Sequence, residues 1–447
     1  MLRNTPPPSQ LSQHSRLAAP HGASAGMGSA AATILTEPAL RSTLRRPLPL
    51  AILIFALAEA LFLIRLSVPH QFVFDEVHYV PAARALIALS GPINIEHPLL
   101  GKSLIALGML IFGDTPLGWR FMSTLAGSVT LVSMFATTWL ITGRLRPSLV
   151  AAALTLLSFT LYVQARIAML DGFMLAFLAS AIAMIAWTLR AGGWWRWLAA
   201  AVLLGLAVGC KWLAAPYVVF AGAAFVICKL GNRRRFPGLP IWPALAALGL
   251  VSGLAYLLTF APAFFYTVEP LTLARLFPFQ LEMYQRQTQV LPAHAYQSDW
   301  WSWPLLIRPI WYLYEPVDGA QRGILLLGNP AIMWSGLVAV AASWVGWVRH
   351  GSPRLFAAAA LWTGSLGIWA VIPKSLGFYY YYFPSSIFIV LPIVLVLDHW
   401  RTRLRGADLA LVAVALALAV YFFPLLSAQP LPDATAFRRW MWFSSWV

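Results

Sequence analysis

Residues 241–263 read IWPALAALGLVSGLAYLLTFAPA, without a single charge, and residues 407–425 read ADLALVAVALALAVYFFPL, with Asp408 as the only one. A helix needs roughly 20 predominantly apolar residues to cross the hydrocarbon core of a bilayer. Runs approaching that length recur along the chain and constrain it more than any other feature. They are continuous rather than alternating, which favours helices over the strands of a membrane barrel. Composition agrees: 60% of the residues are hydrophobic and only 10% charged, where a soluble chain carries about 25% charged residues. The fold class is therefore all-α, a polytopic transmembrane helical bundle.

The formal net charge of +16 would suggest nucleic acid in a soluble protein. Here the basic residues cluster between apolar runs, the pattern by which a membrane protein records its orientation, so no nucleic-acid partner is inferred. The clusters are Arg41, Arg45 and Arg46; Arg144 and Arg146; Arg190 and Arg196; Lys229 with Arg233, Arg234 and Arg235; Arg349 and Arg354; and Arg401, Arg403 and Arg405. If each is cytoplasmic, about eleven spans result, near 48–66, 118–141, 147–164, 172–189, 197–212, 213–228, 240–263, 329–348, 355–372, 384–398 and 408–425, with the C-terminus outside. The run 103–112 is too short to span and reads as an amphipathic or re-entrant helix in the first outer loop. The acids, unused in this assignment, gather on one side: of fifteen, only Glu37, Asp398 and Asp408 fall on the cytoplasmic face, with Glu59 inside a span.

Four regions follow. Residues 1–47, rich in Pro, Ser, Ala and Gly, read as a disordered cytoplasmic tail without a signal peptide. Residues 48–263 form an N-terminal transmembrane part that carries outer loop 67–117 and the chemistry. A second outer loop spans 264–328, and a C-terminal transmembrane part spans 329–447. Cys210 and Cys228 both lie in apolar runs and suggest neither a disulfide framework nor a zinc site.

The polar chemistry concentrates outside. Asp75 and Glu76 are adjacent in FVFDEVHY, among Phe72, Phe74, Val77 and Tyr79. A solvated interfacial turn is the bland alternative, but Glu96, His97 and Lys102 follow closely, and so dense a charged set near a membrane is costly unless it functions. Arg120 opens the second span. Arg166 and Asp171 could pair across a short turn, and Lys211 either snorkels or joins the site. In the second outer loop His294, Ser298, Trp300, Trp301, Trp303 and Arg308 are denser than an interfacial belt requires. Aromatics with Arg and His suit a sugar ring and a phosphate. Lys374 and FYYYYFP (378–384) repeat that chemistry. No phosphate-binding glycine loop, GxSxG elbow or HExxH helix appears, and no metal or other cofactor is expected. The charges lie at the outer edge, whereas secondary transporters hold theirs at mid-membrane.

The stretches FDEVHY (74–79), EHPLLGK (96–102), WRF (119–121), QARIAMLDG (164–172), GLAVGCKW (205–212), HAYQSDWWSWPLLIRPIWY (294–312) and FYYYYFP (378–384) resemble, in order, the protein O-mannosyltransferase family of GT-C membrane glycosyltransferases. The second outer loop is too short for the soluble β-trefoil module of fungal and animal members, so the resemblance implies the bacterial type in a plasma membrane. It implies an inverting transfer of mannose from polyprenyl-phosphate mannose to Ser or Thr hydroxyls of proteins, on the non-cytoplasmic face. It further implies Asp75 as base, with Glu76 positioning it or binding acceptor. Arg120 is then the first choice for the donor phosphate, ahead of Lys102, Lys211, Arg308 and Lys374. Glu96, His97, Arg166, Asp171, His294, Ser298 and Trp301 would bind substrate. The adjacent carboxylates should raise each other's pKa. A related aminoarabinose-type transferase with a lipid acceptor, or a non-catalytic lipid-binding or transport protein, are the competing readings.

Overall fold

The computed structural model describes residues 47–372 and 374–447; the expected tail lies almost wholly outside them. The first half runs α1 (Leu48–Leu63), α2 (Glu76–Ala88), α3 (Leu100–Phe112), α4 (Pro116–Thr142), α5 (Leu145–Leu156), α6 (Phe159–Gln164), α7 (Leu170–Ala191), α8 (Trp194–Cys210), α9 (Ala215–Gly231) and α10 (Ile241–Leu258). After α11 (Leu273–Gln287) come strands β1 (Ile310–Val317) and β2 (Ala320–Leu326). The chain then continues through α12 (Pro330–His350), α13 (Pro353–Gly367), α14 (Phe383–Phe388), α15 (Val390–His399) and α16 (Ala407–Leu426).

Among the described residues seven helical segments are long and apolar enough to cross a membrane: Pro116–Thr142, Leu170–Ala191, Trp212–Gly231, Ile241–Phe265, Pro330–His350, Tyr379–His399 and Ala407–Leu426. The other four stretches assigned to spans are helical but shorter: α1, α5 continued by α6, α8 and α13. The chain is a multi-pass membrane protein.

Sequence punctuation explains where the long helices stop. Thr115 caps α4 by accepting from the Gly118 N–H, Pro116 fills its first turn, and Gly143 ends it in the left-handed region. Asn329, Pro330 and Gly351 do the same for α12. Helix α4 packs against α1, α3, α5 and α7, and its inward face is lined with hydroxyls. Thr130, Thr138 and Thr142 return theirs to the carbonyls of Ala126, Met134 and Thr138, which satisfies those three in a dry interior. Helices α8 and α10 meet where a Cβ on Gly205 would lie 2.3 Å from the Ser252 carbonyl oxygen, the close approach that small residues permit between membrane helices. A kink at Leu157 and Ser158 separates α5 from α6, and a hydroxyl chain Ser158–Thr160–Ser386 (2.9 and 2.8 Å) ties that break to α14.

One feature of the long loops departs from the helical expectation. Residues 310–326 form an antiparallel hairpin turning at Asp318–Gly319, both with positive φ (51° and 71°). The Asp-Gly pair between aromatic and aliphatic runs is the turn chemistry that a two-residue hairpin loop requires. The tip docks on the first long loop, where the His70 N–H donates to Asp318 Oδ2 at 3.1 Å. That first loop itself carries two helices, α2 and α3.

Candidate active site

Phe74 has a φ of +51°, a conformation uncommon for a bulky residue. That turn starts α2, with Asp75 in the N-cap place and Glu76 as its first residue. Successive helical residues point about 100° apart, so the two carboxylates diverge, and their environments have nothing in common.

Glu76 is fully buried and every acceptor site is used. Its Oε1 takes Arg120 Nε and the Ala168 N–H, and its Oε2 takes Arg120 Nη2 and the Val73 N–H, each at 2.8 Å. Arg120 is equally committed. Besides Glu76 it donates to the carbonyls of Leu66 (3.2 Å), Pro69 (2.8 Å) and Gln71 (2.8 Å), which engages all five of its N–H groups. Its side chain is 1% exposed. The guanidinium expected at a donor phosphate instead ties the irregular segment 66–76 to α4.

Asp75 has no ion-pair partner among the described residues. Its Oδ2 accepts one bond, from the Tyr79 hydroxyl at 3.2 Å, one helical turn on. It does not cap α2, although a helix N-terminus commonly takes an Asp side chain in that way. The surrounding protein raises its pKa above the ordinary aspartate value, chiefly by desolvation; Lys211 opposes this and Asp171 adds to it. The cause is therefore burial and Asp171, not the neighbouring Glu76 as adjacency suggested.

Asp171 and Lys211 form the next pair, Nζ to Oδ1 2.9 Å and to Oδ2 2.7 Å. The carboxylate sits in the first turn of α7 and the ammonium at the C-terminus of α8, so each charge complements its helix dipole. Arg166 does not pair with Asp171 as the spacing allowed. It donates to the carbonyls of Phe62 (2.6 Å), Ile64 (2.6 Å) and Arg65 (3.2 Å), which the end of α1 leaves without helical partners.

Rings close the space around these charges. Lys211 Nζ lies 5.1 Å from the ring centre of Tyr380 and 5.6 Å from that of Tyr381, within cation–π range. Phe74 stacks on Tyr312 at 4.2 Å and meets Tyr380 edge-on at 5.7 Å. Gln164 Nε2 donates to the Tyr312 hydroxyl at 3.0 Å. Tyr79, Tyr312, Tyr380, Tyr381 and Gln164 are thus site residues absent from the sequence-based set. FYYYYFP signalled two of the tyrosines; Gln164 and Tyr312 lie at the ends of QARIAMLDG and HAYQSDWWSWPLLIRPIWY without having been given a role there.

The remaining expected residues form an outer tier. His97 lies edge-on to Tyr79 at 6.0 Å. Its Nδ1 is buried without a partner among the described residues, and burial together with Lys211, Lys102 and Lys374 holds its pKa well below normal, so the ring is neutral. Lys102 is buried on the carbonyls of Ile93, Asn94 and His97, and so shapes the loop rather than facing a ligand. Glu96 accepts from Asn94 Nδ2 at 3.0 Å, and its carbonyl from Gln287. Lys374 donates to the Gln287 carbonyl at 3.0 Å and is held down to about 8 by burial and by Lys211. Arg308 is bound to the carbonyls of Ser445 and Ala295. Ser298 accepts from Trp303 Nε1 at 2.9 Å, while His294 and Trp301 are exposed, the former edge-on to Phe378 at 5.3 Å. Among the described residues no three His, Cys, Asp or Glu side chains gather as a metal's ligands would.

Polytopic helices with an unpaired carboxylate opening the first long loop define a GT-C-type membrane glycosyltransferase fold, and solved structures of that type match it. The Saccharomyces cerevisiae protein O-mannosyltransferase Pmt1–Pmt2 complex bound to the sugar donor superposes with a TM-score of 0.76 at 14% identity, over 90% of this chain and 93% of that one. ArnT from Cupriavidus metallidurans bound to undecaprenyl phosphate gives 0.56 at 15% identity, over 84% and 64%. The chain belongs to the protein O-mannosyltransferase family. The family model described as dolichyl-phosphate-mannose-protein mannosyltransferase matches residues 96–265, and that of the C-terminal four-span region of protein-O-mannosyltransferase matches 272–352. The polyprenol-phosphate-mannose–protein mannosyltransferases of Mycobacterium tuberculosis and Corynebacterium glutamicum are 28% and 26% identical to it. Each alignment covers 84% of this chain, with 86% and 88% of the relatives.

Proposed function

We propose that this enzyme moves mannose from a polyprenyl-phosphate-mannose donor to Ser or Thr hydroxyls of proteins, with inversion at the anomeric carbon. The activity for which the mycobacterial and corynebacterial relatives are named supports that substrate pair. The observation that carries the mechanism is the asymmetry of the adjacent carboxylates: Glu76 is saturated by Arg120 and two backbone N–H groups, while Asp75 keeps an oxygen free.

Asp75 accepts the proton of the acceptor hydroxyl as its oxygen bonds to the anomeric carbon. The bond from that carbon to the phosphate oxygen breaks on the opposite face, and its electron pair leaves with the polyprenyl phosphate. A phosphate departs without protonation, so no second, acidic carboxyl is needed, unlike in glycoside hydrolysis. Charge building on the phosphate calls for a cation with donors to spare. Arg120 has none; Lys211, with a third N–H beyond its two bonds to Asp171, takes that role, and Lys374 supports it. Glu76 and Arg120 hold the loop that presents Asp75. Mannose hydroxyls are the natural partners for the unpaired His97 Nδ1 and Gln164 Oε1.

The basic loops and the acid distribution favour a site that faces outward, and the bacterial relatives favour a plasma membrane. Purified protein incubated with polyprenyl-phosphate mannose and a Ser/Thr-rich peptide should yield O-mannosylated peptide and free polyprenyl phosphate. Transfer to a lipid acceptor with none to peptide would favour the aminoarabinose-type reading instead.

A further inference from the structure

We propose that the far end of the molecule holds a second site, for the phosphate headgroup of an anionic membrane phospholipid. Arg120 and Arg144 bracket α4, so the two ends lie about 35 Å apart at 1.5 Å per helical residue. At the Arg144 end a cavity of about 430 Å³ opens among α5, α15, the turn 400–406 and α16. Four arginines line it, Arg144, Arg146, Arg401 and Arg405, against two acids, Asp398 and Asp408.

The acids are already used. Arg146 grips Asp408 with Nε and Nη2, at 2.6 and 2.7 Å, and Arg144 pairs with Asp398. Those pairs fix two walls and cancel two charges. Arg401 and Arg405 have no side-chain hydrogen bond or ion pair among the described residues, yet both face the same cavity. Unpaired guanidinium groups on one cavity repel one another, and an anion between them removes that cost. Guanidinium forks match phosphate oxygens two at a time, and basic pockets between membrane helices at the water boundary are suited to lipid headgroups.

The rest of the lining distinguishes a lipid from a free anion. Val150, Val394, Leu397 and Leu404 complete the wall, and Leu149, Leu404 and Leu409 beside it are exposed (39%, 39% and 62%). A phosphate ion would leave that apolar rim in water; acyl chains would cover it. The site touches none of the residues assigned to mannosyl transfer and stands whether or not that assignment does.

Native mass spectrometry of the detergent-purified protein tests it, with phosphatidylglycerol, phosphatidylcholine and inorganic phosphate as probes. The parent protein should retain phosphatidylglycerol and not phosphatidylcholine. Arg401→Gln with Arg405→Gln should weaken phosphatidylglycerol binding about 25-fold, about fivefold per arginine at about 1 kcal/mol each. Neither side chain has a native partner to lose, so the double variant should fold as the parent does. Arg233→Gln with Arg234→Gln, removing equal charge from another basic loop, should leave binding unchanged. Unaltered binding in the Arg401/Arg405 variant, or equal loss in the Arg233/Arg234 one, overturns the assignment. Displacement of the lipid by millimolar phosphate alone would also overturn it, in favour of a simple anion site.

Discussion

Two adjacent carboxylates reach opposite fates through a rotation of one residue along a helix. The pair itself was legible in FDEVHY, because acids beside a membrane run stand out. Which of them is free was not, because the answer depends on carbonyls at 66, 69 and 71 and an N–H at 168 that only the fold brings together. The same holds for Arg120, whose place at the start of an apolar run suggested a ligand. Removing one member of a buried ion pair leaves an uncompensated charge, at a cost of about 3–5 kcal/mol. Arg120→Ala should therefore lower the thermal unfolding temperature in detergent markedly, and Arg120→Ala combined with Glu76→Ala should recover part of the loss. A guanidinium reserved for the donor phosphate would instead lose transfer with no change in unfolding. Asp75 adds a pH signature. A base works only when deprotonated, and its pKa lies above the ordinary aspartate value, so activity should fall as pH drops through that raised value. The acid limb of kcat/KM should accordingly lie above the range of a solvent-exposed aspartate, and Glu76→Gln should not shift it.

Secondary elements were legible wherever hydropathy governs them. Each stretch assigned to a span is helical, since continuous apolar sequence has no other way to satisfy its backbone in lipid. The hairpin 310–326 was missed although Asp318–Gly319 between YLYEPV and AQRGILL is a turn signal, because the aromatic and basic residues of this loop were weighed for ligand chemistry and not for strand pairing. The pairing of Asp171 with Lys211 was likewise invisible: forty positions separate them, and the nearer Arg166 was the obvious partner. That buried pair offers a test in which stability and chemistry separate. Replacing both members by apolar side chains, as Lys211→Met with Asp171→Leu, is commonly neutral or stabilising by about 1–4 kcal/mol. The double variant should unfold no earlier than the parent, yet transfer mannose about 30- to 1,000-fold more slowly, the scale for losing one transition-state donor. Parent-rate transfer would remove Lys211 from the phosphate's path.

For the whole molecule, charge placement orients the bundle. Loops bearing Arg144, Arg233 and Arg403 should face the cytoplasm, and loops 67–117 and 264–328 the outside. A cysteine at His294 should react with an impermeant maleimide in intact cells, and one at Ser352 only after permeabilisation; the reverse pattern would invert the topology. Every part of the account meets at Asp75, the carboxylate of the adjacent pair that has no ion-pair partner among the described residues. The most direct measurement is single-turnover mannosyl transfer to a Ser/Thr peptide by Asp75→Asn in proteoliposomes, with donor binding followed in parallel. Loss of the general base should slow transfer about 100- to 10,000-fold while donor affinity stays near that of the parent. Transfer at the parent rate by a protein that binds donor normally would contradict the assignment of Asp75 as the base.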